Sequence, residues 1–271
     1  MKFLASYLLC FHAGARDLIK TIDRWSLVLL LGYQDIRQRY QRSLLGPFWL
    51  TISMAVMITC IGLVFGSIFK SSIEEFLPFL ASGLILWAFI LSCVTEGSQT
   101  FISEARTIQQ IPLPLNVYIF KMIWRNLIIL GHNMLIIPIV MYLFGIPLTF
   151  SIILFIPGLI LVILNLVWIA LLISVFCTRF RDFPQIISSI MQIMFYISPI
   201  LWAPELLQES GRATILDLNP VYYLLDIIRS PILGNEPMLV SWIVCGSAVL
   251  FGFLIVIPFF GLYRKRIPYW L

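Results

Sequence analysis

Charged side chains are scarce in this sequence: only 11% of its 271 residues are Asp, Glu, Lys or Arg, whereas 61% are hydrophobic. Soluble domains average about 25% charged residues, and no water-soluble fold could bury so much apolar surface. The composition therefore predicts an integral membrane protein. The net charge of +5 does not indicate nucleic-acid binding, because the basic residues cluster at the ends of apolar runs.

Residues that bind metals or form disulfides are also few. The two histidines and five cysteines are scattered, and no CxxC pair occurs, so we expect neither a metal site nor a disulfide framework. The motifs GxxxxGK[ST], HExxH and GxSxG are missing, which excludes nucleotide binding by a P-loop on this chain. We therefore expect no catalytic residue and no cofactor on this chain.

Apart from Lys121 and Arg125 near the start of the third run, ionisable side chains are nearly missing from the apolar runs described below, where Glu96 and His132 are the exceptions. A proton- or sodium-coupled transporter usually needs carboxylates or coordinating groups there. Their scarcity indicates that any transport energy comes from elsewhere. We interpret Glu96 as a carboxylate that extends to the membrane surface, and His132 as a partner in an interhelical hydrogen bond.

Six apolar runs are each about 20 residues or longer, enough for a helix to cross about 30 Å of hydrocarbon. They lie at about 44–69, 76–98, 116–144, 150–176, 183–203 and 238–262. They are continuous rather than alternating, which argues against barrel strands. The predicted fold is an all-α membrane protein with a six-helix domain, 44–265, between an N-terminal segment, 1–43, and a tail, 266–271.

The positions of Lys and Arg predict the orientation of these six spans. With the N-terminus inside, only Lys70, Arg212 and Arg229 of the 18 basic residues lie outside. The positive-inside rule then places both termini in the cytoplasm. Residues 2–15 imitate a signal peptide, but cleavage there would oppose this charge bias. We interpret them as a retained segment that touches the membrane.

Residues 17–43 predict an amphipathic helix on the cytoplasmic leaflet, because Tyr33, Ile36 and Tyr40 recur at helical spacing with basic residues on other faces. It is either a lipid anchor or a docking surface for a cytoplasmic partner. The joint to the first span contains Gly46, which permits a sharp change of direction, and Pro47, which suits a first helical turn. Arg42 before it would remain among the lipid headgroups.

Two later connections are longer than simple turns need. Residues 99–115 predict a short polar helix ended by Pro112 and Pro114, although a solvated loop is the alternative. Residues 199–237 follow Ser198 and contain an apolar stretch that is too short and too charged to span. We expect short re-entrant helices there, entering from the outer face.

Five stretches in this order form a recognisable set: QDIRQRYQRSLLGPFW, the inner loop ending in prolines, RFRDFPQI, ISPILW and LNPVYYLLDIIRSPILG. Together they resemble the permease subunits of ABC exporters for bacterial cell-surface polysaccharides, the Wzm-type O-antigen exporters and their capsule and teichoic-acid relatives. The resemblance covers about 17–265. Gln34 stands where the family more often has arginine, and Gln109 and Gln110 stand where relatives often carry a lysine.

The resemblance implies a homodimer in the bacterial cytoplasmic (inner) membrane, bound to two copies of a separate ATPase that holds ATP and Mg²⁺. The substrate would be a lipid-linked polysaccharide, moved processively through a channel between the two copies. Alternatives are a permease for teichoic acid, capsule, or a small lipid or drug. Two other classes, a membrane-embedded glycan-modifying enzyme and a scaffold without transport, stay open; the first would need convergent catalytic groups that the sequence lacks.

The resemblance also implies roles for particular residues. The coupling residues lie in the gate helix, 17–43, and the coupling helix, roughly 100–111: Asp35, Arg39, Tyr40, Ile102, Glu104 and Arg106. The outer-gate residues lie at or near the short helices around 205–234: Pro199, Asn219, Pro220 and Arg229. Independently of the resemblance, aromatic rings can stack on sugar faces, and on this ground we nominate five channel-lining candidates: Trp49, Phe65, Trp87, Tyr196 and Trp202.

Overall fold

The computed structural model of the chain describes residues 2–41, 43, 45–46, 48–69, 72–147, 149–204 and 214–271. Within these ranges every regular element is a helix. The elements are α1 (Lys2–Ile22), α2 (Trp25–Tyr40), α3 (Phe48–Phe69), α4 (Ile73–Ser103), α5 (Ala105–Gln110), α6 (Asn116–Met134), α7 (Ile136–Leu143), a 3-10 turn (Phe150–Leu154), α8 (Phe155–Arg179), α9 (Phe183–Ile197), α10 (Thr214–Asp217), α11 (Pro220–Ile232), α12 (Leu239–Tyr263) and α13 (Ile267–Trp270).

Five stretches of these helices are long and apolar enough to cross a membrane: Phe48–Ile68, Ile73–Ser103, Asn116–Leu143, Phe150–Arg179 and Leu239–Tyr263. The predicted class, an all-α integral membrane protein, is confirmed. The predicted span 183–203 instead contains α9, an apolar helix of 15 residues that ends at Ile197. Pro199 disfavours helical geometry for the residue before it, and α9 is only about 22 Å long at 1.5 Å per residue. The number of crossings stays a prediction.

The helix α4 is the centre of the bundle. It packs against α3, α6, α8, α9 and α11, and 72% of its apolar stretch is buried, against 11% for α3. Glu74 and Glu75 lie in its first turn, where carboxylates interact favourably with the helix dipole. A central, buried α4 therefore connects the elements on which the candidate sites are built.

The prediction of a single helix over residues 17–43 is wrong. The segment is divided between α1 and α2 by a turn at Asp23 and Arg24, and α1 packs along α12. A Cβ atom at Gly14 or Gly261 would overlap a backbone carbonyl oxygen of the facing helix. The two glycines thus permit an unusually close approach of α1 and α12. Because of this contact, α1 belongs to the helix bundle and is separate from the predicted gate helix.

A buried carboxylate fixes the position of α1. Asp17 is fully buried, and its Oδ2 accepts hydrogen bonds from the backbone N (3.1 Å) and Nδ2 (2.8 Å) of Asn116. Its Oδ1 lies 2.7 Å from Nε of Arg264. A buried charge is tolerated only when it is paired and hydrogen-bonded, so Asp17 holds together the start of α6 and the end of α12.

Two backbone features at helix ends follow from glycine and proline. Gly46, between α2 and α3, has a φ of 56°, which confirms the predicted change of direction, and its N–H donates to Oγ of Ser43 at 3.1 Å. Arg42 and Pro47 lie outside the described residues. Pro138 has no N–H to donate to the carbonyl of Met134, and α6 accordingly breaks from α7 at Leu135.

Candidate functional site

Five charged residues from three helices and a junction form what we call the charge cluster: Asp35, Glu96, Glu104, Lys121 and Arg125. Its centre is Lys121 of α6, whose side chain is only 9% exposed. Its Nζ lies 3.1 Å from Oδ2 of Asp35 on α2 and also pairs with Oε1 of Glu104. One nearly buried cation thus bridges two carboxylates that belong to different parts of the chain.

Arg125 extends the charge cluster by one helical turn. Its Nη1 lies 3.0 Å from Oδ2 of Asp35 and its Nη2 lies 2.7 Å from Oε2 of Glu96 on α4. Asn126 donates from Nδ2 to the same Glu96 oxygen at 2.6 Å. Residues four apart lie on one face of a helix, so Lys121 and Arg125 together tie α2 and α4 to α6.

The interpretation of His132 as a partner in an interhelical hydrogen bond is wrong, whereas that of Glu96 stays a prediction. Glu96 is partly exposed and is held by Arg125 and Asn126 on the facing side of α6. The His132 ring Nδ1 lies 2.8 Å from the carbonyl oxygen of Ile128 on its own helix. Its ring also packs edge-on against that of Phe48, with 5.5 Å between the ring centres. The hydrogen bond of His132 thus stays within α6, and its contact with α3 is an aromatic one.

Glu104 lies at the junction of α4 and α5. It caps the end of α4 and precedes α5, the predicted short polar helix, which ends at Gln110 before the extended residue Ile111 and Pro112. Pro112 explains this end, because the residue before a proline avoids helical geometry. Since Glu104 is paired with Lys121, the position of α5 is linked through one side chain to α6 and α2.

A polar cavity of about 310 Å³ lies beside the charge cluster. Glu96, Glu104, Lys121 and Arg125 line it together with Tyr118. The Tyr118 hydroxyl is buried and has no hydrogen-bond partner among the described residues. The space and polarity of this cavity suit ordered water.

The six predicted coupling residues are placed differently. Asp35 and Glu104 are brought together by Lys121, whereas Arg39 and Arg106 are exposed and Ile102 and Tyr40 are half-buried. Burial raises the pKa of the Tyr40 phenol above its ordinary value, an effect that the Arg39 charge partly offsets, so the phenol stays protonated.

The sequence analysis used Lys121 and Arg125 only to predict the orientation of the spans and did not predict their ion pairs. Their spacing of four within an apolar run was the signal of a paired face.

A second polar group, which we call the Arg229 cluster, contains three of the predicted outer-gate residues. Arg229 of α11 is buried; its Nη2 donates to the carbonyl oxygen of Pro199 at 2.7 Å, and its guanidinium carbon lies 4.3 Å from the ring centre of Phe79. Asn219 donates from Nδ2 to Oγ of Ser198 at 3.0 Å. These contacts join α11 to the segment that follows α9.

The remaining details of α11 follow from its ends. Asn219 accepts a hydrogen bond from the N–H of Val221 at 3.0 Å and Pro220 stands at the first, exposed turn, a favourable helix start. Asp226, which sequence reasoning missed, accepts from the N–H of Met238 at 3.1 Å, where α12 begins. Short helices are therefore present as α10 and α11, and their re-entrant character stays a prediction; residues 205–213 lie outside the described residues.

The five aromatic candidates have unequal exposure. Trp49 and Tyr196 are 57% and 64% exposed, whereas Trp87 is 5% exposed and its ring lies 5.7 Å from that of Phe195. Phe65 and Trp202 are half-buried, and Trp202 donates from Nε1 to the carbonyl oxygen of Tyr196 at 3.1 Å. Trp49 and Tyr196 thus present rings at the surface of the single chain, and Trp87 belongs to its packed interior.

Comparisons with known proteins give a consistent result. The sequence model of the ABC-2 type transporter family matches residues 26–233. A Klebsiella pneumoniae protein named O-antigen export system permease protein RfbA is 23% identical over 252 residues, which cover 89% of this chain and 92% of that protein. A Myxococcus xanthus protein of the same name is 24% identical over 204 residues, covering 73% of this chain and 77% of that protein.

Proposed function

The chain belongs to the ABC-2 type transporter family, and from this premise we propose that it is the transmembrane subunit of an ATP-driven exporter for an O-antigen-like, lipid-linked polysaccharide. The observation that carries this proposal is the similarity to an O-antigen export permease over 89% of the chain and 92% of the relative. The family match, residues 26–233, includes the charge cluster, the Arg229 cluster and the first four candidate spans.

Energy for transport would come from a separate ATPase subunit, which is typical of the family. We propose a homodimer of this chain with two ATPase copies, each of which binds ATP and Mg²⁺. The complex would reside in the cytoplasmic membrane, with both termini and α5 on the cytoplasmic side. This orientation needs a sixth crossing, which α9 and the residues after it would supply. The positive-inside distribution of Lys and Arg supports this orientation.

The charge cluster supports a coupling mechanism in which α5 contacts the ATPase. A displacement of α5 would move Glu104, and Lys121 would pass that movement to Asp35 and hence to α2. Partly buried ion pairs have strict geometric requirements. Such ion pairs therefore favour a junction that switches between two discrete sets of partners over one that deforms continuously.

At the other end of α4, the Arg229 cluster would control the exit of the glycan. Arg229 packs near Gly83, which lies thirteen residues, or about 20 Å along a helix, from Glu96. A long polymer cannot fit into one occluded cavity, so we propose processive movement through a channel between the two copies. Exposed rings such as those of Trp49 and Tyr196 would offer weak stacking sites for successive sugars.

A deletion experiment in the host tests the proposed function. Deleting the gene should remove the surface polysaccharide and cause its lipid-linked form to accumulate inside, and a P-loop lysine variant of the partner ATPase should reproduce both effects. Chemical analysis of the accumulated glycan separates an O-antigen from teichoic acid or capsule. A normal surface polysaccharide in the deletion strain would contradict the proposal.

A further inference from the structure

A second pocket, which we call the amide pocket, lies between α3, α4 and α6 and adjoins the charge cluster at Glu96. Its volume is about 290 Å³. Its polar lining consists of Arg39, Ser53, Ser92, Glu96, Asn126 and Asn133. Most of the surface that lines the pocket is apolar, and these polar groups lie within it beside α3, a helix whose apolar stretch is almost entirely unburied.

Asn133 is the feature of the amide pocket that needs a ligand. Its side chain is 5% exposed, and its carboxamide oxygen has no hydrogen-bond partner among the described residues. Asn126, two turns earlier on α6, uses both hydrogens of its amide nitrogen, because Nδ2 donates to Glu96 and to the carbonyl oxygen of Met122. A buried polar atom without a partner is destabilising, so the Asn133 oxygen is an acceptor that a ligand in the pocket would satisfy.

The pocket changes in character along its length. Arg39, at the end of α2, supplies an exposed cation, and Asn133 lies seven residues, or about 10 Å along a helix, from Asn126. Met54 and Met57 add flexible apolar walls. A guanidinium recognises phosphate oxygens, whereas amides and serine hydroxyls exchange hydrogen bonds with hydroxyl groups.

The size of the pocket also argues for more than water. One water molecule takes about 30 Å³ of liquid volume, far less than the volume of about 290 Å³. Ligand pockets begin at about 300 Å³, so the space suits a group of roughly one sugar ring. Ser53 and Met57 are exposed, so a lipid tail attached to that group would leave the pocket along the exposed face of α3.

We propose that the amide pocket binds the head group of a lipid-linked sugar before transport, with its phosphate at Arg39 and its ring hydroxyls at Asn133 and Ser92. This inference rests on the proposed function. A phospholipid head group would also satisfy Arg39, but it would not need the Asn133 amide. The dependence of binding on Asn133 therefore distinguishes a sugar from an ordinary membrane lipid.

The test is a binding measurement on the purified permease–ATPase complex in nanodiscs without ATP. The probe is a fluorescent polyprenyl phosphate that carries one N-acetylhexosamine, and the comparison ligand is the same polyprenyl phosphate without the sugar. Asn133→Leu should weaken binding of the sugar-bearing probe about tenfold, the equivalent of one or two hydrogen bonds. Binding of the sugar-free ligand should change less than twofold, while Arg39→Gln should weaken both.

Controls separate the binding role from a folding role. The melting temperature of the Asn133→Leu complex should equal or exceed that of the wild type, because an unpaired buried amide is removed. Ser92→Ala should also weaken the sugar-bearing probe, whereas Ser67→Ala on α3, outside the pocket lining, should not. If Asn133→Leu does not fold, Ser92→Ala and Arg39→Gln still test the proposal.

Two results would overturn the inference: unchanged affinity for the sugar-bearing probe in both Asn133→Leu and Ser92→Ala, or equal weakening of both ligands by Asn133→Leu. Export of polysaccharide by the wild type is measured separately. Intact export by the wild type, together with unchanged probe affinity in the variants, overturns only the proposed role of the amide pocket. A normal surface polysaccharide in the deletion strain overturns the proposed function.

Discussion

Lys121 is the residue on which the link between α2 and the α4–α5 junction depends. It is nearly buried and holds Asp35 and Glu104 together. Removal of one partner from such a group leaves the other charges partly buried and unpaired. The resulting loss of stability is larger than the net stabilisation that the ion pair provides. Arg125 retains Asp35 at 3.0 Å, so Glu104 is the carboxylate that loses its partner.

Lys121→Met should lower the stability of the complex by about 1–3 kcal/mol, because the carboxylates are still partly exposed. It should lower ATP-driven export more than it lowers basal ATP hydrolysis. Thermal unfolding, hydrolysis and surface polysaccharide are the measurements. Lys121→Arg, which keeps the charge, should recover much of the export, and Lys20→Met, at an exposed position of α1, should be neutral. Equal export by Lys121→Met and the wild type would refute the link.

At the scale of the element, α5 has one side held by the bundle and another side free. Ile108 is buried, whereas Arg106 is exposed and Glu104 is paired inside. Charge reversals at these two positions should therefore have different effects, although both residues lie within one short segment.

Arg106→Glu should reduce co-purification with the ATPase or stimulated hydrolysis while the melting temperature of the permease stays the same. Glu104→Lys should reduce both coupling and thermal stability, because it places a second cation beside Lys121. Pull-down, hydrolysis and thermal unfolding distinguish the two. Wild-type binding and hydrolysis in both variants would show that α5 is not the contact.

The joint between α2 and α3 is a second feature at the scale of the element, because its backbone geometry depends on Gly46. Proline cannot adopt the φ of 56° found at Gly46 and would remove the N–H that donates to Ser43. Gly46→Pro should thus impair export more than membrane insertion, measured as surface polysaccharide and as permease in the membrane fraction. Gly131→Ala, in a helix with open space around it, is the matched control. A primary loss of insertion would reduce the joint to a structural role.

Local signals explain which elements could be predicted. The bend at Gly46, the end of α5 before Pro112 and the start of α11 at Asn219 and Pro220 depend on neighbouring residues alone. The turn at Asp23 and Arg24 was missed, because α1 is stabilised by packing on α12. The pairing of Lys121 was missed for the same reason: its partners lie far away in sequence.

At the scale of the whole molecule, the long central helix α4 connects the charge cluster, at Glu96, with the Arg229 cluster, at Gly83. The apolar spans carry few charges that could couple transport to an ion gradient, and those present at Glu96 and Arg125 are paired with each other. This arrangement fits a permease whose movements are driven by a partner and are carried along rigid helices.

ATP-dependent movement of a lipid-linked polysaccharide by the reconstituted permease–ATPase complex tests the central claim most directly. In vesicles with the ATPase facing outward, the polysaccharide should become protected from an added glycosidase when ATP and Mg²⁺ are present. A P-loop lysine variant of the ATPase should abolish that protection. Polysaccharide that stays fully accessible in the presence of ATP, or that becomes protected equally without ATP, would contradict the claim.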